Sequence, residues 1–267
     1  MLTTIQKIGP VLELFTVERP EWRMSDIARE LGTPKSSAHS LVATLAEIGL
    51  LSVGADGSYR LGWNLLSLSE RMRASLDFRQ YSVPVMHELA KSLHETVLLA
   101  GLDRHDVVYV ERVEGNHPMV RLAGVRPGGR LPAHATAAGK VLLAYRSTPE
   151  VRALMSGSSW KRLTPKTLGT MDELLQALVD VRKAGYACDR GEIVPDIACV
   201  GAPIMDRFGS VVAAVSVSVP AYRFPADAMR LAEPLLAACD TISTGLASHR
   251  RELIVEDNEL AAWEAAP

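Results

Sequence analysis

His134, Asp189, Glu192 and Cys199 are the side chains of this sequence best suited to hold a metal or to arm a nucleophile. A metal site needs ligands at tight spacing, and neither His134 with Cys199 nor Asp189 with Glu192 has it. Nucleophilic catalysis finds no G-x-S-x-G run, so a nucleophile elbow is absent. Gly139-Lys140 has the ending of a phosphate loop, but His134 stands where the first glycine belongs. Val141 stands where a metal-binding hydroxyl is required. Cys199 lies in the apolar run A-C-V-G-A-P-I, which suits a small buried hydrophobe. Ser216 and Ser218 alternate with Val215, Val217 and Val219, so both hydroxyls share one face of a strand. That face is either solvated or the wall of a polar cavity. No catalytic residue, metal or cofactor is expected.

A different chemistry, contact with nucleic acid, is legible between Met24 and Leu51. Ser25 is placed to cap a short helix whose Ile27, Ala28 and Leu31 share one face. Gly32 ends it, and Thr33-Pro34 restarts a helix with a hydroxyl at the cap and proline at the first position. The second helix turns Ala38, Leu41, Val42, Leu45 and Ile48 inward, and Gly49 closes it. Lys35, Ser36, Ser37, His39, Ser40 and Thr44 lie opposite, short polar groups and one cation able to approach a groove closely. The layout is a helix-turn-helix, although an αα-hairpin with a merely solvated face has the same spacing. The next stretch, L-L-S-V-G-A-D-G-S-Y-R-L, predicts two short strands around Asp56-Gly57, a wing after the recognition helix. Thr33, Lys35, Ser36, Ser37, His39, Ser40 and, on the wing, Arg60 are the candidate DNA contacts.

The run M-S-D-I-A-R-E-L-G-T-P-K-S-S-A-H-S-L-V-A-T-L, with G-L-L and Y-R-L-G after it, resembles the N-terminal domain of the IclR family of bacterial transcriptional regulators. Members often carry arginine where Ser40 stands, so one phosphate or base contact is missing here.

With 267 residues, 48% hydrophobic and 22% charged, the chain has an ordinary globular composition and room for two cores. No apolar run reaches the ~20 residues that span a bilayer. The first residues lack a secretory apolar core, so a cytoplasmic location is expected. Cys188, Cys199 and Cys239 show no CxxC spacing, which implies neither a disulfide framework nor a zinc ribbon. A net charge of −2 excludes a protein coated with nucleic acid but allows a local basic face. Because cations in the first 80 or so residues are balanced by acids, DNA binding calls for two copies, a dimer or a dimer of dimers.

Ile5, Ile8, Leu12 and Phe15 mark a first helix, with a late start or kink at Gly9-Pro10. Leu65, Leu68, Met72 and Leu76 mark a connecting helix, and the pattern breaks from Gln80 to Pro84. A helix over Pro84–His94 then carries Val85, Leu89 and Leu93 inward. Strands are expected over 96–102, 107–112, 119–125, 186–188, 198–205 and 211–219. Helices are expected after Ala133, near 149–155, over 170–184 and from about Pro225 to His249 with a kink at Pro234. This order predicts an α+β fold with a mainly antiparallel sheet flanked by helices. The expected boundaries are a winged helix-turn-helix over 1–62, a connecting helix over 63–78, a second domain over 79–250 and a tail over 251–267.

In order and spacing, P-A-H-A-T-A-A-G-K, G-Y-A-C-D-R-G-E, A-C-V-G-A-P-I-M-D and Ser216–Ser218 resemble the effector domain of the same family. The resemblance implies a GAF-like sensor that binds a small organic molecule, often a carboxylic acid or related carbonyl compound. It places Val120, Ala137, Ala138, Asp189, Cys199, Ser216 and Ser218 around that ligand. The physics is compatible: a helix start favours an anion, and hydroxyls donate or accept. Asp189 would repel a carboxylate and suits a ligand that also carries a donor. The implied function is a regulator of operator DNA, a repressor of a catabolic operon relieved by its ligand, with no membrane partner. The alternative is an enzyme, a hydrolase or metal-dependent lyase, with an accessory DNA-binding domain.

Overall fold

The computed structural model describes residues 3–116 and 124–264, with side chains described over 5–116 and 124–248. It divides into two compact units, Met1–Ser75 and Leu76–Pro267, a boundary just before the expected residue 78.

In the first unit the expected single helix is two, α1 (Thr3–Gln6) and α2 (Ile8–Glu13), interrupted at Lys7 and not at Gly9-Pro10. Pro10 has no N–H for the Gln6 carbonyl, so the ladder resumes with Val11 donating to Lys7 at 3.1 Å. The helix-turn-helix follows as α3 (Met24–Glu30) and α4 (Lys35–Glu47). Both expected caps are corrected. Arg23 occupies the α3 N-cap, and Ser25 lies inside the first turn. Pro34 occupies the α4 N-cap, which leaves Thr33 one residue outside with its hydroxyl buried and unpaired. Gly32 and Gly49 end the two helices at φ +58 and +75, the left-handed region that glycine enters freely. Ala38, Leu41, Val42 and Leu45 are buried as expected, whereas Ile48 is half exposed. Leu41, Val42 and Leu45 join Val11, Phe15, Trp22, Ile27 and Leu51 in the core.

The wing is β1 (Leu51–Val53) paired antiparallel with β2 (Tyr59–Leu61). Its connection spans 54–58, longer than a two-residue turn, with Gly57 at φ +77. The Ser58 hydroxyl donates to the Asp56 carboxylate at 2.7 Å and, with the Ser58 N–H, holds that carboxyl below its usual pKa. The connecting helix α5 (Trp63–Ala74) buries none of its residues, and Leu68 and Met72 of its expected stripe stand exposed.

In the second unit α6 (Asp77–Leu93) runs straight through Pro84, where a break was expected. Pro84 is exposed, and Met86, Leu89 and Ala90 anchor the helix; Val85 and Leu93 are only partly buried. β3 (Thr96–Asp103) and β4 (Asp106–Val113) form the expected hairpin through Arg104-His105. The expected 119–125 strand, including Val120, lies outside the described residues apart from Gly124 and Val125, which form no strand. An unanticipated β5 (Arg130–Pro132) leads through a 3-10 turn into α7 (Ala137–Ala144). Next come α8 (Thr148–Leu154) and α9 (Met171–Ala184), the latter capped by Thr170 and closed by Gly185 as the sequence predicts. β6 (Ala187–Arg190), β7 (Ile197–Met205) and β8 (Val211–Pro220) complete the sheet. α10 (Met229–Glu264) begins later than Pro225, passes through Pro234 and continues where a tail was expected.

The strand order is β5-β4-β3-β8-β7-β6, and every pairing is antiparallel. The sheet buries both faces. Val97, Leu99, Val200, Val215, Val217 and Val219 pack against α6 and α10 on one side. Leu98, Ala100, Ala187 and Ala214 meet α7 and α9 residues on the other. A fully buried valine contributes about 1.5–3 kcal/mol, so this period-two pattern fixes the strand register.

Candidate ligand cavity and nucleic-acid face

Register brings the polar residues of the sheet together. Asp189 on β6 lies opposite Cys199 on β7, Cys199 opposite Ser218 on β8, and Ser218 opposite Thr96 on β3. The adjoining row sets Gly201 opposite Ser216 and Ser216 opposite Leu98. A side chain at Gly201 would put its Cβ 2.9–3.1 Å from the Ala137 and Ala138 backbone, so the start of α7 presses directly on β7. The first N–H groups of a helix have no acceptor within it. The Thr136 hydroxyl accepts the Gly139 N–H at 3.0 Å. Ala137 and Ala138 line a cavity with Asp189, Cys199, Ser216 and Ser218. Six of the seven expected ligand residues therefore meet in one place.

The cavity offers about 20 Å³, the space of a single water. Its remaining wall includes Leu98, Tyr109, Leu131, Ile193 and Ile197, which the sequence reading missed. Tyr109 had a signal, a lone aromatic at an alternating position of β4. Ile193 lies in an irregular segment and had none.

Asp189 is 3% exposed. Its Oδ1 accepts from the Gly191 and Glu192 N–H groups at 3.0 and 2.6 Å. Burial outweighs those bonds and pushes the carboxyl up to about 7. Burial likewise raises the Tyr109 phenol and the Cys199 thiol far above neutrality, so Cys199 is no thiolate. The thiol donates to the Ser218 hydroxyl at 3.3 Å. Lys140 belongs to no phosphate loop: its Nζ binds Glu192 Oε1 at 2.5 Å and the Cys188 carbonyl at 2.7 Å. Burial raises the Glu192 carboxyl, and Lys140 opposes that. His134 stands outside the cavity wall, 5.0 Å from the Trp160 ring centroid, and burial lowers its pKa. Among the described residues no three His, Cys, Asp or Glu side chains cluster as a metal site.

The polar row of α4 is open to solvent: Lys35, Ser36, Ser37, His39 and Ser40 are all exposed. Ser40 donates back to the Ser36 carbonyl at 3.2 Å and Thr44 to the Ser40 carbonyl at 2.9 Å. Ser37, Ser40 and Thr44 also border a groove whose other wall includes Ile5, Lys7 and Ile8, so Lys7 is a cation that the spacing argument overlooked. On the wing Arg60 is paired with Glu21 at 2.6 Å.

Residues 4–53 match the IclR helix-turn-helix domain, and residues 71–244 match the bacterial transcriptional regulator IclR C-terminal domain. The chain belongs to the IclR family. Among IclR-family relatives, the HTH-type transcriptional regulator XynR of Escherichia coli is 35% identical over 82% of this chain and 86% of its own. The transcriptional repressor IclR of Escherichia coli is 30% identical, over 76% and 75%. A solved IclR homologue from Microbacterium hydrocarbonoxydans, complexed with 4-hydroxybenzoate, is 32% identical with a TM-score of 0.78, covering 92% of this chain and 99% of that one. As an IclR-type protein the chain is a ligand-responsive DNA-binding transcriptional regulator with an N-terminal helix-turn-helix and a C-terminal effector domain. Among the described residues no helix is long and apolar enough to cross a membrane.

Proposed function

We propose that this regulator is a repressor, acting on DNA in the cytoplasm as a symmetric dimer or dimer of dimers, and that a compact carboxylic acid or carbonyl compound relieves it. The observation that carries the reading is the paired rows of the sheet. They set Ser216, Ser218 and Asp189 around the start of α7, all four strands in register. The Ala137 and Ala138 N–H groups and the two hydroxyls would hold an oxygen anion or carbonyl, as a helix start does. Asp189 would accept from a hydroxyl, amide or amine elsewhere on the ligand, and the aliphatic wall limits its size. The Microbacterium homologue is solved with 4-hydroxybenzoate, which combines a carboxylate with a hydroxyl donor. Lys35, Ser36, Ser37, His39, Ser40 and Arg60 would serve the operator, whereas the buried Thr33 hydroxyl would not reach it. A ligand opening the cavity would reposition the two helix-turn-helix units of a dimer.

The test is a thermal-shift screen of hydroxylated and plain small carboxylic acids, 4-hydroxybenzoate included, followed by calorimetry of any binder. Leaving a buried polar group unpaired costs ~1–3 kcal/mol, so Ser216→Ala, Ser218→Ala and Asp189→Ala should each weaken binding about five- to a hundredfold. A binder held as tightly by all three variants as by the parent places the ligand elsewhere.

A further inference from the structure

The segment between α8 and α9 is laid along the backbone that follows Asp189, and the bonding is consecutive. Lys166 Nζ donates to the Arg190 carbonyl at 2.9 Å, Thr164 Oγ1 to the Gly191 carbonyl at 2.7 Å and Thr167 Oγ1 to the Glu192 carbonyl at 2.6 Å. Three successive carbonyls are thus held by three side chains from a stretch four residues long. The two threonines are buried, Thr167 completely. Thr167 Oγ1 also accepts the N–H groups of Leu163 and Thr164 at 3.1 and 2.9 Å, so its hydroxyl is fully committed. Outward, Arg162 donates to the Thr167 carbonyl at 2.7 Å and pairs with Glu173 in the first turn of α9. A connection that is irregular beyond a 3-10 turn at Met155–Gly157 is therefore anchored at one end to a helix start and bonded at the other to a tight turn. That turn has Gly191 at φ +90, with Pro195 closing on it.

We infer that this segment is a strap that positions Asp189, with Thr164 and Thr167 as its positioning residues. The link is direct: the N–H groups that hold Asp189 Oδ1 belong to Gly191 and Glu192, the residues whose carbonyls the strap grips. Each peptide on either side of Gly191 is tied at both ends. The first gives its N–H to the carboxylate and its Arg190 carbonyl to Lys166; the second gives its N–H to the carboxylate and its Gly191 carbonyl to Thr164. Thr167 holds the next carbonyl, that of Glu192. The three side-chain bonds that the strap makes to this turn all go to backbone carbonyls, none to a side chain of the cavity lining. It sets the direction of the carboxylate and makes 190–192 a fixed rim rather than a part of whatever opens. The functional meaning rests on the effector reading above, but the bonding arrangement is testable without a ligand.

The experiment is hydrogen exchange by mass spectrometry and NMR on the full-length, ligand-free protein. Thr167→Val keeps the shape and removes the hydroxyl; Thr167→Ser keeps the hydroxyl. Exchange at the Gly191 and Glu192 amides should rise about tenfold or more in Thr167→Val and stay within about twofold in Thr167→Ser, with the β7 and β8 amides unchanged. Thr164→Val should give a smaller rise at the same amides, and it serves if Thr167→Val does not fold. Unchanged exchange at Gly191 and Glu192 in the folded valine variants overturns the strap. A rise spread evenly over the unit also overturns it, because that is ordinary destabilisation. Failure of the effector reading shows instead as calorimetric indifference to Asp189→Ala, whatever the exchange does.

Discussion

The two units place their polar side chains in opposite surroundings. On α4, Ser36, Ser37, His39 and Ser40 face water, and the Ser40 and Thr44 hydroxyls on that face return to the helix's own carbonyls. Across the effector sheet, Asp189, Ser216 and Ser218 are 3%, 3% and 2% exposed, and the strands' own pairing holds them together. A surface row acts through charge and fit, so each member contributes little and salt screens it. A buried row has already lost its water, so every partner that it keeps or lacks is costly. The same residue type, serine, is therefore solvated in one unit and a structural commitment in the other.

The sharpest way to break that contrast is to alter packing beneath the buried row. Gly201→Val would drive a side chain into the Ala137 and Ala138 backbone, which lies 2.9–3.1 Å from an added Cβ. Overpacking of this kind costs typically ~1–3 kcal/mol, and contact with backbone places it near the top of that range. Thermal unfolding should show the effector unit losing stability while the helix-turn-helix unit keeps its own. A smaller effect separates charge from shape. The Asp189 carboxyl is raised from 3.8 to about 7, chiefly by burial. A raised acid binds more protons folded than unfolded, so its share of stability is lost as pH climbs from about 4 to 7. Asp189→Asn keeps an acceptor for the Gly191 and Glu192 N–H groups and removes the charge. The parent should therefore lose on the order of 2 kcal/mol relative to Asp189→Asn between pH 5 and 8. Denaturant melts at the two pH values check this, and parallel pH profiles would mean that Asp189 is solvated after all.

Legibility in the sequence follows the same contrast. Periodic burial is a strong signal, so α4, α9, the β3–β4 hairpin and the alternation of β8 are all where the residues predict them. Asp189, Cys199, Ser216 and Ser218 converge because strand register brings them together, and register follows from the valines on the opposite face. What failed was local chemistry overridden by packing. Ser25 and Thr33 look like caps, yet Arg23 and Pro34 hold those positions. Pro84 looks like the start of a helix after a break, yet it is an exposed proline inside a longer helix that Met86 and Leu89 pin to the sheet. The strap could not be read at all. Thr164 and Thr167 bond to carbonyls, which leave no trace in residue type, and their partners are 25 or more residues away.

The smallest effects belong to the exposed row, and they test whether it meets DNA. Lys35 opens α4 and is exposed, so its ammonium can reach a phosphate at no desolvation cost to the fold. Each phosphate neutralised contributes about 0.9 to the slope of log affinity against log salt. Lys35→Ala should lower that slope by about one and weaken binding about tenfold near 0.1 M salt, on any duplex and not only the operator. Ser40 permits the converse. Its side chain lies on the solvent side and, among the described residues, bonds the Ser36 carbonyl of its own helix, so replacing it disturbs no core. Ser40→Arg supplies the cation that other members often carry there, and the slope should steepen by a similar amount. Calorimetry with a cavity ligand should read both variants as parent, because Lys35 and Ser40 belong to the first unit and the cavity to the second. Fluorescence anisotropy on a non-specific duplex across a salt series decides the matter without knowledge of the operator. Slopes unmoved in both directions would mean that the exposed row of α4 is only a solvated face and that DNA is met by another surface.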